Sequence, residues 1–173
     1  FNIEYKKTNR FGEEYIQFAD PHGLEIELVE REGGHENTWA VDDITPDVAI
    51  KGFAGAVFYS HSPKETVEVL ETLLGLERVG EEGEFIRFKS SADMGNIIDI
   101  NTSSMARGIT SVGTVHHIAW RAEDEEDLLA WRSLVKENGF AVSPVRDRKY
   151  FKSIYFYEKG GILFEIATDI PGF

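Results

Sequence analysis

Five residues in the last third of the chain are of types that do chemistry together. His116 and His117 are adjacent in VHHIAWR, Glu165 lies in LFEIAT, and Arg148 and Tyr155 fall between them. Imidazole with carboxylate suits Fe(II), Mn(II) or Zn(II), and two histidines with one carboxylate and open positions is the non-haem iron(II) arrangement. Read on a strand over Val115–Arg121, His116 and His117 face opposite sides, so only one of them reaches a given cavity. The competing reading is that these are core or edge polar residues. Glu165, between Phe164 and Ile166, either faces solvent or is paired. Arg148, in DRKYF, is a fixed cation able to hold a carboxylate or phenolate oxygen, or else half of a surface ion pair. Tyr155 is able to donate a hydrogen bond or move a proton, or else is a core tyrosine.

The remaining candidates are weaker. His22 lies in a turn, His35 in a polar stretch and His61 just before a helix, and all three read as surface. Glu27 reads as solvent-facing. Asp99 and Ala56 supply no histidine–carboxylate pair. With no cysteine in the sequence, thiolate metal sites, cysteine nucleophiles and disulfides are excluded. No glycine-rich phosphate loop and no nucleophile elbow occur. The net charge of −13 argues against a nucleic-acid partner, which calls for a basic face. No apolar run reaches the roughly 18 residues of a membrane span. No signal peptide is visible, so a cytoplasmic location is expected.

These residues need elements to position them. Tyr15–Val29 predicts a hairpin about Asp20-Pro21-His22-Gly23, with Leu24, Ile26 and Leu28 at strand period. Residues 30–51 are polar and glycine-rich and read as a linker. Gly52–Tyr59 predicts a buried strand, and Ser62-Pro63 opens a helix that Gly75 stops. Phe85–Phe88 and Ile97–Ile100 read as strands. The order then recurs: a strand at Val115–Arg121, a helix over Asp124–Asn138 with Leu128, Trp131, Leu134 and Val135 on one side, and strands at Ser153–Tyr157 and Ile162–Ala167. Matching the two stretches sets Ala56 against His117 and Pro63 against Asp124, both at an offset of 61, and Asp99 against Glu165 at 66. Such units pair to bury their faces. The expected class is α+β, in βαβββ modules. The expected organisation is the end of one module over 1–32, a linker over 33–51, and modules over 52–112 and 113–173.

GTVHHIAWR, SPVRDRKYFKSIYF and GGILFEIATDIPGF together resemble the signature of ring-cleaving dioxygenases of the vicinal oxygen chelate (glyoxalase/bleomycin-resistance/dioxygenase) superfamily, in the hydroquinone-type branch. DPHGLEIELV is similar to the end of a βαβββ module there. The resemblance implies four modules, with iron held by a histidine of the first module and by a histidine and a glutamate of the last. Carried over, the metal ligands here are His117 and Glu165, and His116, Arg148 and Tyr155 are catalytic or contact the substrate oxygens. It also implies that this chain holds part of the four modules and lacks the first histidine, either because it is cut from a longer protein, or because another chain supplies the ligand, or because the site is degenerate, and that a two-ligand site binds metal weakly. Fe(II) is the expected cofactor, with Mn(II) or Zn(II) as alternatives. The expected partners are a small aromatic substrate and O₂, with no nucleic acid and no membrane. Exposed sheet edges favour a homo-oligomer. Two other readings stay open: a glyoxalase-like metal lyase or transferase, and a non-catalytic aromatic- or drug-binding protein of the same fold.

Overall fold

The computed structural model describes residues 3–32 and 40–172. Its elements form three separate sheets. The first is an antiparallel meander of β1 (Tyr5–Arg10), β2 (Glu13–Ala19) and β3 (Glu25–Val29). The predicted turn between β2 and β3 forms because the Asp20 carboxylate accepts hydrogen bonds from the backbone N–H of His22 and Leu24, at 2.7 and 2.8 Å. An aspartate side chain thereby replaces the missing backbone partners of a tight turn. β1 is an addition to the predicted hairpin; its YKKTNR sequence carries no apolar alternation.

The second sheet contains β4 (Gly55–Tyr59), β5 (Glu77–Glu82), β6 (Phe85–Lys89) and β7 (Ile97–Asn101), in the order β4-β7-β6-β5. The helix α1 (Pro63–Glu68), extended by a π-helical turn at Val69–Leu73, connects β4 to β5. The third sheet repeats this winding: β8 (Ile118–Ala122), α2 (Glu125–Glu137), β9 (Arg146–Asp147), β10 (Lys152–Tyr157) and β11 (Leu163–Thr168), in the order β8-β11-β10-β9. In each unit the first strand runs parallel to the last and the other pairings are antiparallel. The class is therefore α+β. Between the first two sheets, the described residues 40–51 form a short bridged turn at Val41 and Ile44 and a second turn closed by the Val48 N–H to Thr45 carbonyl bond; His35 lies outside the described residues.

One apolar core spans the two repeated units. Phe58, Leu70, Phe88 and Ile100 of the first meet Leu128, Ile154, Phe156 and Phe164 of the second, all buried. Phe164 sits at its centre, with the rings of Trp120, Phe156 and Phe58 at 5.5, 5.7 and 5.9 Å. Each such side chain contributes about 1.5–3 kcal/mol by leaving water. Leu128, Trp131 and Val135 turn inward from α2, whereas Leu134 falls outside that stripe and is exposed.

A polar clasp crosses the same boundary. The Glu158 carboxylate is buried and accepts from the Thr66 hydroxyl of α1 and from the N–H groups of Gly160 and Ile162, at 2.8, 2.7 and 2.7 Å. A Cβ at Gly160 would lie about 2 Å from the Ser60 and Thr66 hydroxyl oxygens. Only glycine lets the chain approach that closely.

Sheet register corrects the internal alignment. Asp99 is flanked by Val57 and Arg87, and Glu165 by Ala119 and Tyr155. The counterpart of His117 is therefore Gly55, at an offset of 62, and not Ala56. The shift has a physical origin at the helix start. Asp124 is the cap of α2, its carboxylate accepting from the Asp127 N–H at 2.9 Å, so it matches Ser62 and not Pro63. Ser62 caps through position alone, without a side-chain hydrogen bond.

Candidate functional site

His116 and His117 are not on a strand. β8 begins at Ile118, and the residues before it are irregular. Side chains alternate between faces only inside a pleated ladder, so the expected opposition of the two rings does not arise. The rings instead meet edge to face at a centroid distance of 5.1 Å, with Nδ1 to Nδ1 at 2.8 Å. His117 reaches β11 from this position, and its Nε2 lies 2.7 Å from Glu165 Oε2.

Glu165 is buried in the middle of β11, with only 4% of its side chain exposed. Its cross-strand neighbour on β10 is Tyr155, and directly opposed residues share a face. The Tyr155 hydroxyl donates to Glu165 Oε1, and its ring stands edge-on to His117 at 5.7 Å. Arg148, just beyond β9, donates from Nη2 to the Tyr155 hydroxyl at 3.4 Å, with its guanidinium 5.6 Å from the ring centre. That hydrogen bond and the phenol's charge raise the Arg148 pKa above its ordinary value.

Of the two Nδ1 atoms one donates and the other accepts, according to the tautomers. Glu165 ends a donor chain that runs from Arg148 through Tyr155, and His117 Nε2 stands within ion-pair distance of it. All five residues singled out in the sequence thus converge. His22 and His61 are exposed and take no part.

Beside this group opens a cleft of about 330 Å³, lined by His116, Ser143, Arg146, Arg148, Tyr155 and Leu163. Ser143 and Arg146 were not among the sequence candidates. β9 is two residues long and shows no periodicity. Arg146 and Arg148, however, are two apart in VRDRKYF, which is same-face spacing for an extended chain. Among the described residues no three His, Cys, Asp or Glu side chains converge as a complete metal site. His117 Nε2 and the buried Glu165 carboxylate form a two-donor set of the right chemistry.

The equivalent place in the preceding unit holds two arginine side chains. Asp99 is buried, and Arg87 of β6 grips it with two hydrogen bonds, from Nε at 2.7 Å and Nη2 at 2.8 Å. Arg10 of β1 donates to the same carboxylate at 2.6 Å and clamps Glu27 of β3 with two more bonds. Glu27 is thus ion-paired, contrary to the solvent-facing expectation. Arg87 extends to Glu13 and the Tyr15 hydroxyl, both at 2.6 Å, and Arg31 joins at Glu13. Burial alone lowers the pKa of Arg10 and Arg87, but these carboxylate bonds outweigh it and raise both. Burial likewise raises Glu13, yet hydrogen bonds from Arg31, Tyr15 and Arg87 hold it at about 2. The network fastens the first sheet to the second.

The model of the Glyoxalase/Bleomycin resistance protein/Dioxygenase superfamily matches residues 53–166. The chain is 57% identical, over its whole length, to 55% of a Bacillus subtilis protein named "Putative ring-cleaving dioxygenase MhqO". It is 26% identical over 93% of its length to 52% of the chlorohydroquinone/hydroquinone 1,2-dioxygenase of Sphingobium indicum. The crystal structure of a putative dioxygenase from Bacillus subtilis superposes with a TM-score of 0.95 at 56% identity, covering 99% of this chain and 56% of that one. The chain therefore spans about half the length of the curated relatives it matches.

Proposed function

Because the chain belongs to the glyoxalase/bleomycin resistance protein/dioxygenase superfamily, we propose that it is part of a metal-dependent, extradiol-type ring-cleaving dioxygenase. Its substrate would be a hydroquinone or a related dihydroxyaromatic. The observation that carries this reading is the convergence of His116, His117, Glu165, Tyr155 and Arg148 at one cleft. The relatives named as a ring-cleaving dioxygenase and as a chlorohydroquinone/hydroquinone 1,2-dioxygenase support it.

His117 Nε2 and Glu165 would hold Fe(II), with a further ligand from outside the described residues. When bound, Fe(II) supplies Lewis acidity and electron transfer toward O₂. A metal-ligating imidazole donates its other N–H to an outer partner, which fixes the ring and raises its basicity. With Nε2 turned to a metal, His117 would carry its proton on Nδ1, and His116 would be the acceptor across their 2.8 Å contact.

The other residues handle charge and protons at the aromatic ring. Arg148 offsets the negative charge of a substrate phenolate, as a cation that does not titrate. The Tyr155 hydroxyl, held between Arg148 and Glu165, exchanges a proton with a substrate oxygen at the cleft. Leu163 supplies an apolar wall for the ring. Oxygen consumption by the full-length protein with Fe(II), over a panel of substituted hydroquinones and catechols, is the test. Uptake matched by loss of the aromatic absorption is expected. No uptake with any member of the panel would sink the reading.

A further inference from the structure

We propose that Arg146 is a specificity-determining residue that binds a carboxylate on the ligand of the cleft; this rests on the dihydroxyaromatic reading above. Arg146 and Arg148 stand two residues apart and both line the cleft. Arg148 is already engaged with the Tyr155 hydroxyl. Arg146 is different: among the described residues its side chain has no hydrogen-bond or ion-pair partner, although β9 holds its backbone against Ser153 of β10.

Among the described residues no acid pairs with it. Glu165 is occupied by Tyr155 and His117. The Asp147 carboxylate accepts from the Lys149 N–H. The cleft wall thus carries two guanidiniums in a chain of net charge −13. A cleft lined by one sign of charge concentrates ligands of the opposite sign. A guanidinium's fork of donors matches a carboxylate in two-point geometry. Hydroquinone itself has two hydroxyls and no carboxylate, so one cation, Arg148, suffices for it. The second cation indicates a carboxylate, either as a ring substituent of the substrate or as the group that ring opening creates.

Anaerobic binding to the full-length protein, followed by tryptophan fluorescence, separates these cases. Three probes are used: hydroquinone, 2,5-dihydroxybenzoate (the same diol with a carboxylate) and cis,cis-muconate (an open-chain C6 dicarboxylate). Arg146→Gln should weaken 2,5-dihydroxybenzoate about tenfold, the worth of one charge-assisted contact, and leave hydroquinone unchanged. Arg146→Lys should recover part of the loss. Arg78→Gln, which removes one charge from β5 of the other unit, should change nothing. A loss confined to muconate supports the assignment with the product as the source of the carboxylate. Equal losses for all three probes, or none for either carboxylate, overturn it. If the wild-type protein binds neither aromatic probe, the dihydroxyaromatic reading fails, and the muconate arm alone decides Arg146.

Discussion

Glu165 is approached from two directions, by the Tyr155 hydroxyl and by His117 Nε2, and this makes its neighbours separable by mutation. Tyr155→Phe removes the hydroxyl that Arg148 and Glu165 share but leaves His117 and Glu165 in place. The expected outcome is a kcat lower by about 10²–10⁴-fold, the usual contribution of a proton-transferring group, with the iron content of the purified full-length protein unchanged. His116→Ala should act the other way: iron affinity weaker by about 10–100-fold, the range for an outer partner of a ligating histidine. Metal titration against a competing chelator checks this. Glu13 offers a test far from the cleft. Its folded pKa of about 2 lies below the ordinary 4.5, so its stabilisation is full above pH 4.5 and is lost as pH falls toward 2. Glu13→Gln should flatten that acid limb in pH-dependent urea unfolding. An unchanged limb would show that other carboxylates set it.

At the scale of elements, the repeat of strand, helix and three strands was readable because each unit has its own apolar periods and turn residues. The candidate residues that the structure brings together stand out by type, since a histidine pair and a strand glutamate are conspicuous among apolar neighbours. What could not be read was register. A single-residue slip moves every side chain to the opposite face, and only the hydrogen-bonded pairing of Glu165 with Ala119 and Tyr155 decides it. The conformation before β8 was hidden for the same reason, because VHHIAWR alternates no more clearly at Val115 than at Ile118. Glu27 was misread because its partner Arg10 lies two strands away on β1, an element without a sequence signal. The buried Arg10–Asp99–Arg87 cluster makes the pairing of the first two sheets sensitive to one charge. Asp99→Asn leaves two guanidiniums short of their counter-charge, and breaking a buried pair costs about 3–5 kcal/mol. The urea midpoint should fall accordingly.

At the scale of the whole molecule, the two repeated units are joined by the shared core around Phe164 and by the Glu158 clasp. Thr66→Val removes a donor to that buried carboxylate. It should destabilise the protein by about 1–3 kcal/mol while leaving one unfolding transition, because the core still couples the units. Two separated transitions in calorimetry would show that the clasp, and not the core, carries the coupling. Among the described residues no helix is long and apolar enough to cross a membrane. The two units share a winding but differ at one decisive place: His117 precedes β8, whereas Gly55 opens β4. A Cβ at position 55 would lie 1.9 Å from the carbonyl oxygen of Ile97, on the neighbouring strand. A codon change to histidine there would first have to force apart β4 and β7. Even then it would meet a carboxylate already claimed by Arg10 and Arg87. One substitution therefore cannot copy the His117–Glu165 arrangement into the preceding unit: the backbone at Gly55 and the two arginines on Asp99 would both have to give way.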